Sequence, residues 1–287
     1  MPTNAPPRIA IPLPHSIDRE YAERAIPQYE RAVEQAGGEA VRIPLDQTPA
    51  AVMKIIERCD GVLLPGSKAD VDPEKFGATR SPHTAAADPR RDAVDELLLQ
   101  DAYHLRKPVL GICYGLQSLN VYRAGSLIQH IPDFLPEELR TRVNHEAGKK
   151  VAVAHAVEIE SDSKLAGIVN GKEGEGHGFS SQPALSKRSA PKGAESSAKG
   201  AGALAPEGNK LVLPVNSSHH QSADTIGDGL RIAARCPDDG IIEALEGTAP
   251  DHFVLAVQWH PERSADEDKS SRAIFRALVE AAATRPK

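Results

Sequence analysis

The chain has 287 residues, with 34 Lys and Arg against 40 Asp and Glu for a net charge of −6. A mild acidic excess without basic blocks speaks against nucleic acid or an anionic membrane surface as a partner. Three cysteines at positions 59, 113 and 236 are odd in number and widely spaced, which argues against a disulfide framework or a Cys-x-x-Cys zinc site.

Residues 1–14 are proline-rich and lack the apolar core of a signal peptide, and no run approaches membrane-spanning length, so a cytoplasmic location is expected. Arg8 to Leu13 reads as a first strand and Glu20 to Ala36 as a helix, with Pro27 either kinking it or starting its true body. Gly37-Gly38 ends that helix. Ala40 to Ile43 is a second strand, Pro49 to Cys59 a helix opened by Thr48 and Pro49, and Gly61 to Leu64 a third strand stopping at Pro65-Gly66. Asp88 caps a helix with Pro89 at its first position, where Val94, Leu97, Leu98, Ala102 and Leu105 make one buried stripe. Short all-apolar strands alternating with helices predict a parallel sheet covered on both faces, with ligands at the carboxyl ends of the strands.

Residues from about 171 to 210 are rich in Gly, Ser, Ala, Lys and Pro, with Phe179, Leu185 and Leu204 almost the only large apolar side chains. That is too polar to pack, so a flexible insertion from a surface loop is expected within one domain spanning 1–287. Beyond it, Leu230 to Arg235, Ile241 to Leu245 and Phe253 to Gln258 read as strands and Ser270 to Ala283 as a closing helix.

The most informative segment is Pro108-Val109-Leu110-Gly111-Ile112 running into Cys113-Tyr114-Gly115-Leu116-Gln117. It reads as a buried strand that ends on a cysteine and turns at once into a helix. Such an elbow sets a side chain at the tip of the sheet, points the next N–H toward it and puts a helix N-terminus behind it. A free thiol, with an ordinary pKa of about 8.5, needs a base or imidazolium neighbour to be mostly thiolate at neutral pH, and the base needs an orienting group. Val254 to Trp259 leads into His260-Pro261-Glu262, which supplies both. A cysteine after an apolar strand is more often a small core residue, the reading that suits Cys59 and Cys236. Cys113 differs in having Gly111 and Gly115 on either side and a His-x-Glu segment to activate it.

Gly111 to Gln117 resembles the nucleophile elbow of the class I glutamine amidotransferase-like superfamily, and Trp259-His260-Pro261-Glu262 resembles its base segment. Leu64-Pro65-Gly66-Ser67 followed by Asp70-Val71-Asp72-Pro73, and Val215-Asn216-Ser217-Ser218-His219-His220-Gln221, resemble the γ-glutamyl-γ-aminobutyrate hydrolase branch, the peptidase C26 group. The resemblance implies an α/β, flavodoxin-like, mainly parallel sheet with helices on both faces. It implies hydrolysis of small γ-glutamyl amides by a Cys113-His260-Glu262 triad through a thioester, as in putrescine degradation. The oxyanion would sit on backbone N–H groups of Gly66, Ser67 and Tyr114, and Gln117, Asn216, Ser218, His219 and Gln221 would bind substrate.

No cofactor and no metal are implied, and the small-molecule substrate is the expected partner, with a homodimer left open. The His219-His220 doublet suggests metal at first sight, but adjacent residues on extended chain point to opposite faces and do not easily share an ion. Asp70-Val71-Asp72 lacks the rest of a calcium loop, and a turn around Pro73 is expected instead. Tyr114 stands where this branch usually has arginine, Ser67 where a second glycine is common, and Ala124-Gly125 replaces a Gly-Gly pair. The Tyr114 departure predicts an altered leaving-group pocket with catalysis kept. Two other readings follow from the same motifs: a glutaminase subunit supplying ammonia to a synthetase, and a non-catalytic binding protein of the same fold. A complete triad speaks against the second, and few aromatic residues for a docking surface against the first.

Overall fold

Strand and helix alternate from the start of the chain. The computed structural model describes residues 5–171 and 211–285. In chain order its elements are β1 (Arg8–Pro12), α1 (Arg19–Gln35), β2 (Glu39–Ile43), α2 (Pro49–Ile56), β3 (Gly61–Leu64), α3 (Pro89–Leu105), β4 (Val109–Ile112) and α4 (Tyr114–Tyr122). There follow β5 (Leu127–Ile128), the single turns α5 (Ile131–Phe134) and α6 (Glu137–Arg140), β6 (His155–Ile159), α7 (Lys164–Val169), β7 (Leu211–Val215) and β8 (Ser222–Ala223). The chain closes with β9 (Leu230–Arg235), β10 (Ile242–Gly247), β11 (Val254–Val257) and α8 (Lys269–Thr284).

The main sheet has the order β2-β1-β3-β4-β11-β10-β9-β6-β7, and β5 pairs β8 in a separate ribbon. The first five strands are mutually parallel, and β10, β9, β6 and β7 continue the sheet antiparallel. Strand alternation sorts side chains between two cores. Ile9, Ile11, Leu63, Leu110, Ile112, Leu255 and Val257 pack with α1, α7 and α8 on one face. Ala10, Val62, Leu64, Val109, Val254 and Ala256 pack with α2, α3 and α4 on the other. Burial on both faces is why these strands read as unbroken apolar runs.

Caps set the helix boundaries. Asp18 accepts from the Tyr21 N–H at 2.9 Å, so α1 begins at Arg19 and Pro27 lies in its interior. Asp88 caps α3, accepting from the Arg91 N–H at 3.2 Å with Pro89 at the first helical position, as the sequence predicts. Asp72 caps a single 3-10 turn over Pro73–Phe76, which is the turn expected there. Strands β5 to β8 and helices α5 to α7 have no counterpart among the elements expected from sequence. The expected insertion at about 171–210 lies, apart from Gly171, outside the described residues. Among the described residues no helix is long and apolar enough to cross a membrane.

Candidate active site

Cys113 sits between β4 and α4 with φ +53° and ψ −104°, a backbone conformation that costs a non-glycine residue on the order of 1–3 kcal/mol. The strain is held by close packing. A Cβ on Gly115 would collide with the carbonyl oxygen and side chain of Leu64, so glycine there lets the first turn of α4 rest on the end of β3. β11 lies beside β4 in parallel, with Val257 paired to Ile112, which carries the chain after β11 to the same end of the sheet as Cys113.

His260, 5 % exposed, stands there beside the Cys113 side chain, and both line the same cavity. Its Nδ1 lies 2.7 Å from Glu262 Oε1. Burial alone would push the imidazole pKa down, but the Glu262 carboxylate and the Cys113 sulfur outweigh it and hold it up at about 9. Burial likewise opposes ionisation of Glu262, and the neighbouring His260 overcomes it and keeps the carboxyl below its ordinary value. The three side chains named from sequence therefore lie at one end of the sheet, with the imidazole bonded to the carboxylate and the thiol on the same cavity.

The Cys113 side chain opens onto a cavity of about 510 Å³ whose lining includes Ser67, Tyr114, Gln117, Ser218, His219, His220, Gln221 and His260. Gln117 Nε2 donates to the Gln221 carbonyl at 3.3 Å and to Gln258 Oε1 at 3.4 Å, which fixes the α4 face of the cavity to the 216–221 segment. Tyr21, Arg24, Lys68, Lys149 and Arg263 line the same cavity. Sequence motifs do not reveal these five, because they come from α1 and from loops with no shared spacing; their grouping around the cavity exists only in the fold.

Several expected site residues take positions that their motifs do not show. Asn216 lies outside the cavity lining: its Oδ1 accepts from the His260 N–H and its Nδ2 donates to the His260 carbonyl, both at 2.9 Å. The Gly66 N–H donates to the Tyr29 hydroxyl at 3.1 Å, so of the three N–H groups expected to face an oxyanion only those of Ser67 and Tyr114 have no such partner among the described residues. Gly66 still serves by its missing side chain, since a Cβ would stand 3.1 Å from His260 Cε1 and 3.6 Å from Cys113 Cβ.

Tyr114 is fully buried, and its hydroxyl donates to Asp92 while Arg91 lies over its ring at 4.9 Å. The expected change of leaving-group pocket at this residue is therefore corrected: only its backbone can face the cavity, and its ring belongs to a buried polar network. Within that network Arg91 donates to Asp95 at 2.6 Å, to the Pro14 carbonyl at 3.2 Å and to the Pro65 carbonyl at 2.8 Å, fixing the loop that carries Gly66 and Ser67.

The histidine doublet does diverge. His220 Nε2 lies 3.2 Å from Asp70 Oδ1, and this hydrogen bond raises its pKa. His219 turns the other way, with Nε2 3.2 Å from Glu243 Oε1 and Nδ1 2.8 Å from the Gln221 carbonyl.

A family model for peptidase C26 matches residues 13–182 and 197–262. The chain belongs to the peptidase C26 family. It is 30% identical to the γ-glutamyl-γ-aminobutyrate hydrolase of Escherichia coli K12 over 88% of this chain and 84% of that one. It is 34% identical to a Mycobacterium tuberculosis protein provisionally described as a glutamine amidotransferase, over 88% of this chain and 66% of the longer relative. A Rickettsia prowazekii protein provisionally described as glutamine amidotransferase-like is 29% identical, over 88% and 87% of the two chains.

Among solved structures, the glutaminase domain of Trypanosoma brucei CTP synthase with bound acivicin matches with a TM-score of 0.54 at 16% identity, over 98% of this chain and 95% of that one. A Thermoplasma acidophilum protein provisionally described as one chain of a GMP synthase matches at 0.55 and 13%, over 98% and 96%. At these identities the two structures speak for the fold alone, which is the flavodoxin-like, class I glutamine amidotransferase-like one. Family and relatives together make this C26 member a glutamine amidotransferase-like hydrolase.

Proposed function

We propose that this C26 hydrolase cleaves the γ-glutamyl amide bond of small γ-glutamyl compounds, with γ-glutamyl-γ-aminobutyrate as the model substrate, and that Cys113, His260 and Glu262 are its triad. The observation that carries this reading is Cys113 on a strained elbow, sharing a cavity wall with a His260 that Glu262 holds at 2.7 Å.

Cys113 Sγ attacks the side-chain carbonyl carbon, and the carbonyl oxygen takes the negative charge, facing the N–H groups of Ser67 and Tyr114. As the C–N bond breaks, His260 gives its proton to the departing amine, leaving a thioester on Cys113. His260 then takes a proton from water, whose oxygen attacks the thioester carbon, and glutamate leaves as the thiol is restored. Glu262 keeps the imidazole in the required tautomer and stabilises its cation.

The glutamyl head group meets Gln117, Ser218 and Gln221, while His219, both of whose ring nitrogens are taken, and Asn216 act behind them as positioning residues. Arg24, Lys68, Lys149 and Arg263 stand around the cavity, each beside a carboxylate of the chain (Glu20, Asp18, Glu146 and Glu262), so the two carboxylates of γ-glutamyl-γ-aminobutyrate would compete with those partners for them.

The test is a panel of γ-glutamyl amides assayed beside free glutamine with the purified chain and its Cys113→Ala variant. Release of glutamate and amine from the γ-glutamyl amides by the parent alone is expected. Turnover of glutamine only after a synthetase is added would establish the amidotransferase reading instead.

At the level of domains the reading is a single hydrolase domain with an insertion at about 171–210, of which the family match leaves out only 183–196. Replacing 171–210 by a short Gly/Ser linker should leave Tm nearly unchanged. A large loss of Tm would mean that the segment packs.

A further inference from the structure

A second cluster of reactive side chains lies behind the 216–221 segment. His145 Nδ1, His155 Nε2 and His219 Nε2 converge on Glu243 Oε1 at 3.0, 3.4 and 3.2 Å, and all four residues are buried. The triad needs none of His145, His155 and Glu243. The four donor atoms lie within 4.8 Å of one another.

The outer nitrogen of each ring decides what the inner one offers. His145 Nε2 lies 2.8 Å from Asp239 Oδ2, His155 Nδ1 3.0 Å from the Ala156 carbonyl and His219 Nδ1 2.8 Å from the Gln221 carbonyl. These partners accept hydrogen bonds and have none to donate, so each outer nitrogen carries the ring proton. Burial disfavours charge on the His145 and His155 rings, but their carboxylate neighbours outweigh it and hold them up at about 9 and about 10, so without an ion both inner nitrogens carry protons toward Glu243. A dication at that point would displace those protons and meet three nitrogen lone pairs and a carboxylate oxygen. His145 Nδ1 and His155 Nε2 are fully enclosed and approach Glu243 Oε1 without good hydrogen-bond geometry. Imidazole rings held from behind by a carboxylate or carbonyl are the usual arrangement around a bound metal.

We propose that His145, His155, His219 and Glu243 form a binding site for one divalent first-row transition ion, of which zinc is the type. With metal–ligand bonds of about 2.0–2.1 Å, a tetrahedral site has ligand–ligand edges of about 3.3 Å. The three nitrogen–oxygen separations already match that edge; the ion draws in the widest pair by about 1.5 Å. Glu243 in the site and Asp239 directly behind it carry the two negative charges that balance a dication, and Ser217 Oγ fixes the second Glu243 oxygen at 3.2 Å. Three imidazoles and one carboxylate suit zinc rather than magnesium or calcium, which prefer all-oxygen shells.

Four buried protein ligands leave no position for a substrate, so the role is structural. The ion ties β6 and β10 to the loop holding His145 and to the 216–221 segment. His219 passes the restraint on, because the Gln221 carbonyl that accepts from its Nδ1 also accepts from Gln117 in the cavity. Cys236 and Asp239 form a competing donor group with His145 on the outer side.

The experiment uses the full chain carrying Cys113→Ser, so that the elbow thiol cannot hold the ion. The protein is stripped with a chelator, reloaded with zinc or cobalt, passed over a desalting column and measured for bound metal, Tm and cobalt absorption. Expected are about one ion per chain, a higher Tm with zinc than without, and the intense visible absorption of four-coordinate cobalt without a thiolate charge-transfer band. His155→Gln and Glu243→Gln should each weaken binding by more than about tenfold, while Cys236→Ser should not. Failure of the unsubstituted site to retain metal, equal Tm in both forms or retention by both Gln variants would overturn the proposal. A thiolate band lost in Cys236→Ser would also overturn it, by moving the ion to the outer group.

Discussion

Asn216 grips the backbone of His260 from both sides, accepting from its N–H and donating to its carbonyl, each at 2.9 Å. A side-chain amide matches a peptide group in this way with one donor and one acceptor, so the pair fixes where the imidazole starts from without touching the ring. Asn216→Asp keeps the shape but sets a carboxylate oxygen against the His260 carbonyl. It should lower kcat by roughly 10–100-fold, given that a lost buried hydrogen bond costs about 1–3 kcal/mol, and leave KM nearly unchanged. Steady-state kinetics distinguish the roles: a rise in KM alone would mean that Asn216 contacts substrate.

The strained elbow separates stability from activity at Cys113. Cys113→Ala should abolish turnover, a loss of at least about a thousandfold, and leave the fold intact. Cys113→Gly should be equally inactive yet melt higher, since glycine adopts φ +53° without the strain energy of an L-residue. His260→Asn should be nearly as damaging to kcat as loss of the thiol, and Glu262→Gln less so. Melting curves and a hydrolysis assay on the four variants suffice. A Cys113→Gly protein that melts below Cys113→Ala would show that the backbone there is not strained.

The His260 pKa of about 9 fixes the sign of a pH effect. A histidine raised above its ordinary 6.5 stabilises the folded state fully below pH 6.5 and loses that contribution as pH rises through about 9. The Tm advantage of the parent over His260→Asn should therefore shrink between those two values. Alkylation of Cys113 by iodoacetamide at neutral pH should also slow in His260→Asn, because the neighbouring base is gone. An advantage that grows with pH would mean a neutral His260 in the resting protein.

Tyr114→Arg tests the buried network. The new guanidinium would be forced in beside Arg91, where burial of like charges is costly, so Tm should fall by several degrees. The ranking of leaving amines should stay as in the parent. An altered ranking at unchanged Tm would put the side chain in the cavity after all.

How much the chain discloses by itself follows from the range of the interactions involved. The five parallel strands, α1, α3, α8 and the elbow are legible because each depends on neighbours in sequence: apolar runs, an Asp-Pro cap, a cysteine between glycines. Much of the antiparallel half is not. Strands β6 and β7 carry His155, Glu158 and Pro214, which interrupt the apolar pattern in the sequence, so their pairing comes from the sheet edge they complete.

The sequence named Cys113, His260 and Glu262 and the family they resemble. Only the tertiary structure decided that Asn216 serves the His260 backbone, that Tyr114 faces Arg91 and Asp92, and that the Gly66 N–H is taken by Tyr29. It alone joins His145, His155, His219 and Glu243 around one point. Those four come from two loops and two strands with no common spacing, and convergence of that kind leaves no periodic trace in a sequence because it is made by the packing of segments distant along the chain.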